Sequence, residues 1–309
     1  MRLAHLTDLH LPIPVRPPLR DLLNKRALGY LSWSRNRRFR HTTEALDPII
    51  EDCRLAAPDF TAISGDLVNI SLECEFLAAV QWVEEKFDGF TVAFAPGNHD
   101  AYVRLPWDEG AGRFGALMAG RRFGDDCERA PRDENDFPFV RSAGAVSLVF
   151  ANSSPPTAPG LATGRLGKAQ IERIGVELEQ LADAGQCRVL VVHHPVTEGA
   201  TPKRKALDDG ALLRDILSAT GVELVLHGHT HRSVWASVET KDGPRPVVGG
   251  ASASHPEAHG KYRPARYNLF SIEGEAKTGW RISVEVRELD PASGDVKTAE
   301  HRNLLPFPA

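Results

Sequence analysis

Five apolar runs in this chain each stop at a side chain able to bind a metal, and that repetition constrains the fold more than any other feature. Residues 3–7 run into Asp8 and His10, and residues 60–64 into Gly65-Asp66-Leu67-Val68-Asn69. Residues 90–95 run into Pro96-Gly97-Asn98-His99-Asp100, residues 188–192 into His193-His194-Pro195, and residues 222–226 into His227-Gly228-His229-Thr230-His231. Short apolar runs bounded by Gly and Pro read as buried strands. In an open α/β sheet the carboxyl ends of the strands share one edge, where ligands bind. The five polar ends are therefore expected at one site.

The linking segments fit that arrangement. Residues 42–57 and 72–87 read as helices, the first capped by Thr42 or Thr43, and strand-helix-strand alternation implies right-handed parallel crossovers. Residues 145–151 read as a strand whose following loop, Asn152-Ser153-Ser154-Pro155-Pro156, opens on the same edge, and 166–184 as an amphipathic helix. After His231 the pattern becomes strands joined by short turns, at 233–240, 246–250, 267–273 and 280–289, with Thr240-Lys241-Asp242-Gly243 as a hairpin signal. Antiparallel strands are thus added to a sheet begun in parallel. Residues 290–309 read as a polar tail that packs on the body or frays.

A chain of 309 residues, 42% of them hydrophobic, can bury one substantial core, so a single domain over 1–309 is expected. Two stretches read as insertions. Residues 16–41 carry Arg16, Arg20, Lys25, Arg26, Arg35, Arg37, Arg38 and Arg40 against the single acid Asp21. Leu19, Leu22, Leu23, Ala27, Tyr30, Leu31 and Trp33 interleave them at helical spacing, which reads as a basic amphipathic helix. Such a helix either lies on an anionic membrane surface or caps the site with its basic face solvated, and its charges could also steer a phosphorylated substrate. Residues 101–141 lose periodicity; Trp107, Phe114, Leu117 and Met118 imply a small helical lid over the site. Lys203, Arg204 and Lys205 read as a solvated charge run, with contact to an anionic substrate as the alternative.

A net charge of −4 gives no global attraction to nucleic acid, and no nucleic-acid partner is expected. Cys53, Cys74, Cys127 and Cys187 are widely spaced, form no Cys-x-x-Cys pair, and read as buried free thiols. The chain starts on a core strand and has no apolar segment of membrane-spanning length. A cytoplasmic location is expected, or a peripheral one at the inner face of the membrane through 16–41.

Asp8, His10, Asp66, Asn98, His193, His229 and His231 together supply carboxylate, imidazole and amide oxygen, the donors that divalent ions take. Seven donors exceed what one ion uses; two ions sharing Asp66 divide them naturally. Asp8 and His10, two residues apart, point the same way if the strand geometry persists. His5 lies inside the apolar run and reads as a core histidine.

Asp8-x-His10, Gly65-Asp66, Gly97-Asn98-His99-Asp100, His193-x-Pro195 and Gly228-His229-x-His231, in that order, resemble the calcineurin-like metallophosphoesterase family over about residues 1–290. The resemblance implies an α/β (mixed α+β) fold, a four-layer α-β-β-α sandwich of two mixed sheets flanked by helices, with a helical cap or lid. It implies Asp8, His10 and His231 on one ion, Asn98, His193 and His229 on the other, and Asp66 between them. His99 would stabilise phosphoryl charge or protonate the leaving oxygen, with Asp100 orienting its ring. His194 and His227 match no ligand position and are expected beside the ligands or in structural roles, as is Asn69 unless it touches substrate. Manganese, iron, zinc or cobalt would suit the donor set.

Two such ions lower the pKa of a bridging water, and the hydroxide attacks phosphorus in line with the leaving group. Neither a Gly-x-x-x-x-Gly-Lys-Ser/Thr loop nor a cysteine nucleophile with a phosphate-cradling loop competes with this chemistry. Spacing and size look similar to the bacterial cyclic-nucleotide and glycerophosphodiester phosphodiesterases, so a small-molecule phosphodiesterase is the first expectation. The alternative is a membrane-surface pyrophosphohydrolase of a nucleotide-linked lipid, of the UDP-2,3-diacylglucosamine type in lipid A synthesis. Its warrant is the 16–41 insertion, where Asn24-Lys25-Arg26-Ala27-Leu28-Gly29-Tyr30-Leu31 is similar to a segment of lipid-pathway members. A non-catalytic scaffold of the same fold is a third reading, opposed by the full ligand set and His99. Edge strands could pair across a dimer, but nothing in their residues demands it.

Overall fold

The computed structural model describes residues 1–87, 91–121 and 126–306. In chain order its strands are β1 (Arg2–Leu6), β2 (Phe60–Ile63), β3 (Val92–Phe94), β4 (Phe139–Ala143), β5 (Val146–Phe150), β6 (Cys187–Val191), β7 (Leu224–His227), β8 (Val234–Val238), β9 (Arg245–Gly249), β10 (Arg266–Glu275), β11 (Gly279–Leu289) and β12 (Val296–Leu305). The α-helices are α1 (Arg26–Arg35), α2 (Thr43–Leu55), α3 (Glu73–Lys86), α4 (Lys168–Asp183) and α5 (Gly210–Thr220).

The strands form two six-stranded mixed sheets, ordered β12-β11-β10-β1-β2-β3 and β4-β5-β6-β7-β9-β8. β1, β2 and β3 run parallel, as do β5, β6, β7 and β9; the remaining pairings are antiparallel. The apolar runs explain the stacking. Every residue of β6 is buried, with Val189 and Val191 in the core between the sheets and Leu190 in the core under α4 and α5. A strand buried on both faces must read as a continuous apolar run, which residues 188–192 do, apart from Arg188. Arg188 is paired within the fold, its guanidinium 2.7 Å from Glu223.

The inter-sheet core joins Leu3, Phe94, Phe150, Val189 and Leu224 to Ile49 and Ile50 of α2, and the rings of Phe60 and Phe150 meet across the sheets, 6.4 Å apart. Full burial of a side chain of that size contributes about 1.5–3 kcal/mol. Thr42 caps α2, its hydroxyl accepting the Ala45 N–H at 3.3 Å. The expected sandwich of two mixed sheets flanked by helices is what the chain forms.

Several expectations change. The motif-bearing strands belong to two sheets rather than one open sheet, so their ends meet across the sandwich. Residues 296–305 are not a tail but an edge strand laid along β11. Helix α5 had no counterpart in the sequence reading. The expected strand 90–95 begins at Val92, and its first residue, Phe90, lies outside the described residues. The hairpin signal holds: the Gly243 N–H returns to the Thr240 carbonyl between β8 and β9.

The 16–41 segment is not one amphipathic helix. It breaks into a 3-10 turn at Leu19–Leu22, the ten-residue α1, and a second turn at Arg37–Phe39. Its apolar residues divide: Leu22, Tyr30 and Trp33 pack on Ile13, Ile70, Leu72 and Tyr102, while Leu19 and Leu23 are 79% and 85% exposed. Gly29 sets the contact, since a Cβ there would lie 2.6 Å from Ile70 Cγ2. The described part of 101–141 also departs from a lid over the metal donors. Its 3-10 turn Ala111–Met118 packs Phe114 against Phe76 and Phe94 in the core, and from this stretch only Tyr102 lines the metal-side cavity. Residues 122–125 of that stretch lie outside the described residues. Cys53 and Cys187 are buried free thiols as expected, whereas Cys127 is exposed.

Candidate metal centre

All seven sequence-predicted metal donors come together. The backbone leaves strand geometry to do this: Asp8, His10, Asp66, His229 and His231 all have φ between 46° and 67°. That region is costly for residues with a Cβ and persists where surrounding contacts over-determine it. Asp8 and His10 therefore converge through left-handed turns, not through the persistence of extended geometry. Close packing needs two glycines beside them. A Cβ on Gly97 would lie 2.3 Å from Asp66 Oδ1, and one on Gly228 would lie 1.9 Å from Thr7 Oγ1.

Asp66 is central. Its Oδ1 accepts the His99 N–H at 2.7 Å, while Oδ2 lies 3.7 Å from His10 Nε2 and 3.5 Å from His193 Nε2. On the His10 side, His231 Nε2 is 3.4 Å from His10 Nε2 and 3.2 Å from Asp8 Oδ1. On the His193 side, Asn98 Oδ1 is 3.2 Å and His229 Nδ1 3.3 Å from His193 Nε2. The opposite ring nitrogens are committed elsewhere: His10 Nδ1 to the Val68 carbonyl, His193 Nδ1 to the Ser64 carbonyl, His229 Nε2 to the Lys205 carbonyl. A carbonyl only accepts, so each of these nitrogens carries the proton and its partner nitrogen turns a lone pair inward.

These residues fit divalent ions on their own evidence. Lone pairs of neighbouring imidazoles face one another at hydrogen-bond distance. Asp8 Oδ2 takes the Thr7 hydroxyl and the His229 N–H, while buried Asp8 Oδ1 has no hydrogen-bond partner. Burial, then the charge of Asp8, pushes the Asp66 carboxyl well above its ordinary value. Inward-facing donors and crowded carboxylates want cations between them. Asp8, His10, Asp66 and His231 offer one ligand atom each within 4.8 Å of one another.

His99 lines the same cavity but is turned by Asn69, whose backbone carbonyl receives its Nδ1 proton. Arg37 Nη1 lies 3.0 Å from that nitrogen, and burial, then Arg37, holds the ring neutral. Asp100 does not orient His99. Its carboxylate accepts backbone N–H groups of Asp66, Leu67, Val68 and Gly97 at 2.7–3.1 Å, tying the loop after β2 to the loop after β3. Burial, then Asp66, pushes Asp100 up to about 7 against the pull of those amides. Asn69 is fully buried with its amide donated to the Leu11 carbonyl, so its side chain is structural rather than substrate-facing.

His194 donates or accepts at Ser153 Oγ, 2.8 Å away, and its ring stands 4.5 Å from that of His229. His227 Nδ1 is paired with the Gly228 carbonyl, and burial holds the ring down to about 4. Both are structural neighbours of the ligands. His5 is a core histidine bonded to Ser64 Oγ at 2.8 Å.

The sequence reading missed how much the insertion contributes. A cavity of about 460 Å³ opens at Asp66, Asn98, His229 and His231 and is also lined by Lys25, Arg37, Arg40, Arg204 and Lys205. Lys25 stands 4.3 Å over the Tyr102 ring, which stacks on His99. The charges of 16–41 are thus partly turned inward, and Lys205 is not simply solvated: burial, then Arg204, lowers its pKa. Glu75 was also missed; its buried carboxylate accepts the N–H groups of Asn69, Ile70 and Leu72 and fixes the loop that holds His99.

A calcineurin-like phosphoesterase family model matches residues 1–233, and the chain belongs to that family. A dimetal phosphatase from Danio rerio shares the fold, with a TM-score of 0.63 at 12% identity and 98% of each chain covered. Purple acid phosphatase PPD1 from yellow lupin (Lupinus luteus) superposes with a TM-score of 0.55 at 13% identity, covering 96% of this chain and 52% of the lupin chain. Comparison with curated protein sequences gives no match. Family and fold together support a metal-dependent phosphoester hydrolase. Among the described residues no helix is long and apolar enough to cross a membrane.

Proposed function

We propose that this chain hydrolyses a phosphoanhydride or phosphodiester of an amphiphilic, multiply charged small molecule, such as a nucleotide-linked lipid, at a two-metal site. The cavity lining carries this reading: five cationic residues, from Lys25 to Lys205, line the same cavity as the metal donors. A single phosphodiester brings one negative charge, and two divalent ions already exceed it. Five further cations suit a substrate with a second phosphate. Leu19, Leu23, Leu28, Leu31 and Phe39 are exposed on the same inserted segment, among Arg16, Arg20, Arg35 and Arg38. Apolar side chains interleaved with basic ones suit the surface of an anionic bilayer, where an acylated substrate resides.

Asp8, His10 and His231 would hold one ion, Asn98, His193 and His229 the other, with Asp66 shared. When bound, the ions supply Lewis acidity that makes water nucleophilic near neutral pH and polarises the phosphoryl oxygens. The remaining work falls to the chain. Arg37, Lys25 and Lys205 would neutralise and orient the phosphate chain; His99, its Nδ1–H held by the Asn69 carbonyl, would first take up a proton at Nε2, which an anionic substrate favours, and then pass it to the departing oxygen. The competing reading is a soluble phosphodiesterase of cyclic nucleotides or glycerophosphodiesters. It uses the same donors but leaves the cationic wall and the exposed leucines without a task.

Manganese-reconstituted protein incubated separately with cyclic AMP and with UDP-2,3-diacylglucosamine in mixed micelles, followed by phosphorus NMR, separates the two. Release of UMP and a lipid phosphate with cyclic AMP untouched supports the proposal. Conversion of the cyclic diester with the lipid untouched overturns it in favour of the soluble phosphodiesterase.

A further inference from the structure

His41 belongs to none of the five motifs, yet it ends the inserted segment inside the metal centre. It is 6% exposed, with its ring centroid 4.3 Å from that of His10 and 5.2 Å from that of His231. One ligand nitrogen from each of His10, His41 and His231 can be chosen so that all three lie within 4.8 Å of one another.

Two serine hydroxyls hold its Nδ1. Ser252 Oγ donates its proton to the Asp8 carbonyl at 2.8 Å. Toward His41 Nδ1, 3.3 Å away, that oxygen accepts, an arrangement that suits a proton on Nδ1. Ser254 Oγ stands 2.8 Å from the same nitrogen, and the Thr42 N–H, next in the chain, is bonded to the Ser254 carbonyl at 3.0 Å. With the proton on Nδ1, Nε2 carries the lone pair. A histidine whose Nδ1–H is fixed by outer partners and whose Nε2 is unprotonated is in the form that binds metals. His10 is arranged the same way, through the Val68 carbonyl.

We infer that His41 is a further protein ligand on the His10 side of the centre, binding an ion together with His10 and His231, supplied by the inserted segment and absent from the motif set. The inference rests on the two-metal reading of the site. Its consequence is that retention of this ion depends on the seating of residues 16–41: the segment that builds the cationic wall also closes one metal shell.

The test is Co(II) titration of the metal-free full-length protein against a competing chelator, with proton NMR of the loaded form, for wild type and His41→Gln. The wild type is expected to take up two ions. The variant is expected to weaken one binding step at least about 10-fold, the scale on which loss of even an outer partner acts, and leave the other unchanged. In the paramagnetically shifted NMR region it should lose one exchangeable imidazole N–H signal. Calorimetry of the metal-free forms checks that the variant is folded, and His41→Asn repeats the measurement if the glutamine variant is not. Two ions bound with unchanged affinity and an unchanged set of shifted signals in a folded variant would overturn the role of His41 alone. A wild type that takes up no Co(II) would overturn the two-metal reading and this inference with it.

Discussion

Asp8, His10, Asp66, His229 and His231 sit in loops whose backbones are tied strand to strand, whereas Lys25, Arg37 and His41 ride on a segment with one ten-residue helix and leucines facing solvent. In the first region the fold pays for strained backbone with buried hydrogen bonds: Asp8 N–H to the Gly65 carbonyl at 3.0 Å, His10 N–H to the Asp66 carbonyl at 2.9 Å, and four amides on Asp100. In the second, side chains make the attachment, Arg26 to the Ile70 carbonyl and Lys25 to Thr157. The difference separates two tasks. Chemistry that tolerates little displacement is placed on backbone-locked strand ends. Under the proposed function, recognition would fall to an insertion that can vary without disturbing the sheets, with His41 as its one reach into the metal centre.

Breaking the locked region should have the largest effects. Asp66→Ala removes the carboxylate shared by both donor sets; activity is expected at background, and elemental analysis should find no more than one ion per chain. Two ions retained would show that Asp66 does not bridge. His99→Asn should lower kcat by about 10²–10⁴-fold, the usual worth of a positioned acid or base, with metal content unchanged. A parallel loss of metal would make His99 a positioning residue for the site instead.

Asp100→Ala sharpens the comparison from the side of stability. Four buried N–H groups lose their acceptor, and at about 1–3 kcal/mol per unsatisfied group the fold should lose at least about 3 kcal/mol, read as a lowered Tm by calorimetry. A Tm within a degree or two of wild type would mean that the loop does not depend on this carboxylate. The smallest effect on the fold is expected in the insertion. Leu19→Glu combined with Leu23→Glu changes exposed positions and should leave stability within about 0.5 kcal/mol per site. On the proposed function the wild type should sediment with anionic liposomes and this variant should not; equal sedimentation would detach these leucines from any membrane role. Leu22 is unsuitable for that experiment because it packs on the body.

The legible part of the site was the part carried by local pattern. An apolar run, a turn, and a donor at a fixed offset are visible in one dimension, and Gly97 and Gly228 mark where the backbone must pass close to another loop. Glu75, Asp100 and Arg37 were harder to assign because their partners are distant in sequence. Asp100 looked like the partner of adjacent His99, yet it serves amides of residues 66–68, more than thirty positions away. The basic stretch misled for a related reason. Helical spacing of leucines states which residues share a face, not whether that face meets the body or the solvent, and here α1 turns Tyr30 and Trp33 inward and leaves Leu28 and Leu31 out.

By itself the sequence determined the strand ends and the seven candidate donors, because side-chain type and local spacing suffice to state them. Only the tertiary structure decided which strands join which sheet, that residues 296–305 join the first sheet as an edge strand, and that Lys25, Arg37, His41 and Lys205 line the cavity at the donors. Those outcomes depend on which surfaces meet when the sheets stack and the insertion docks, and such contacts are set by packing between segments far apart in the chain rather than by any pattern within one.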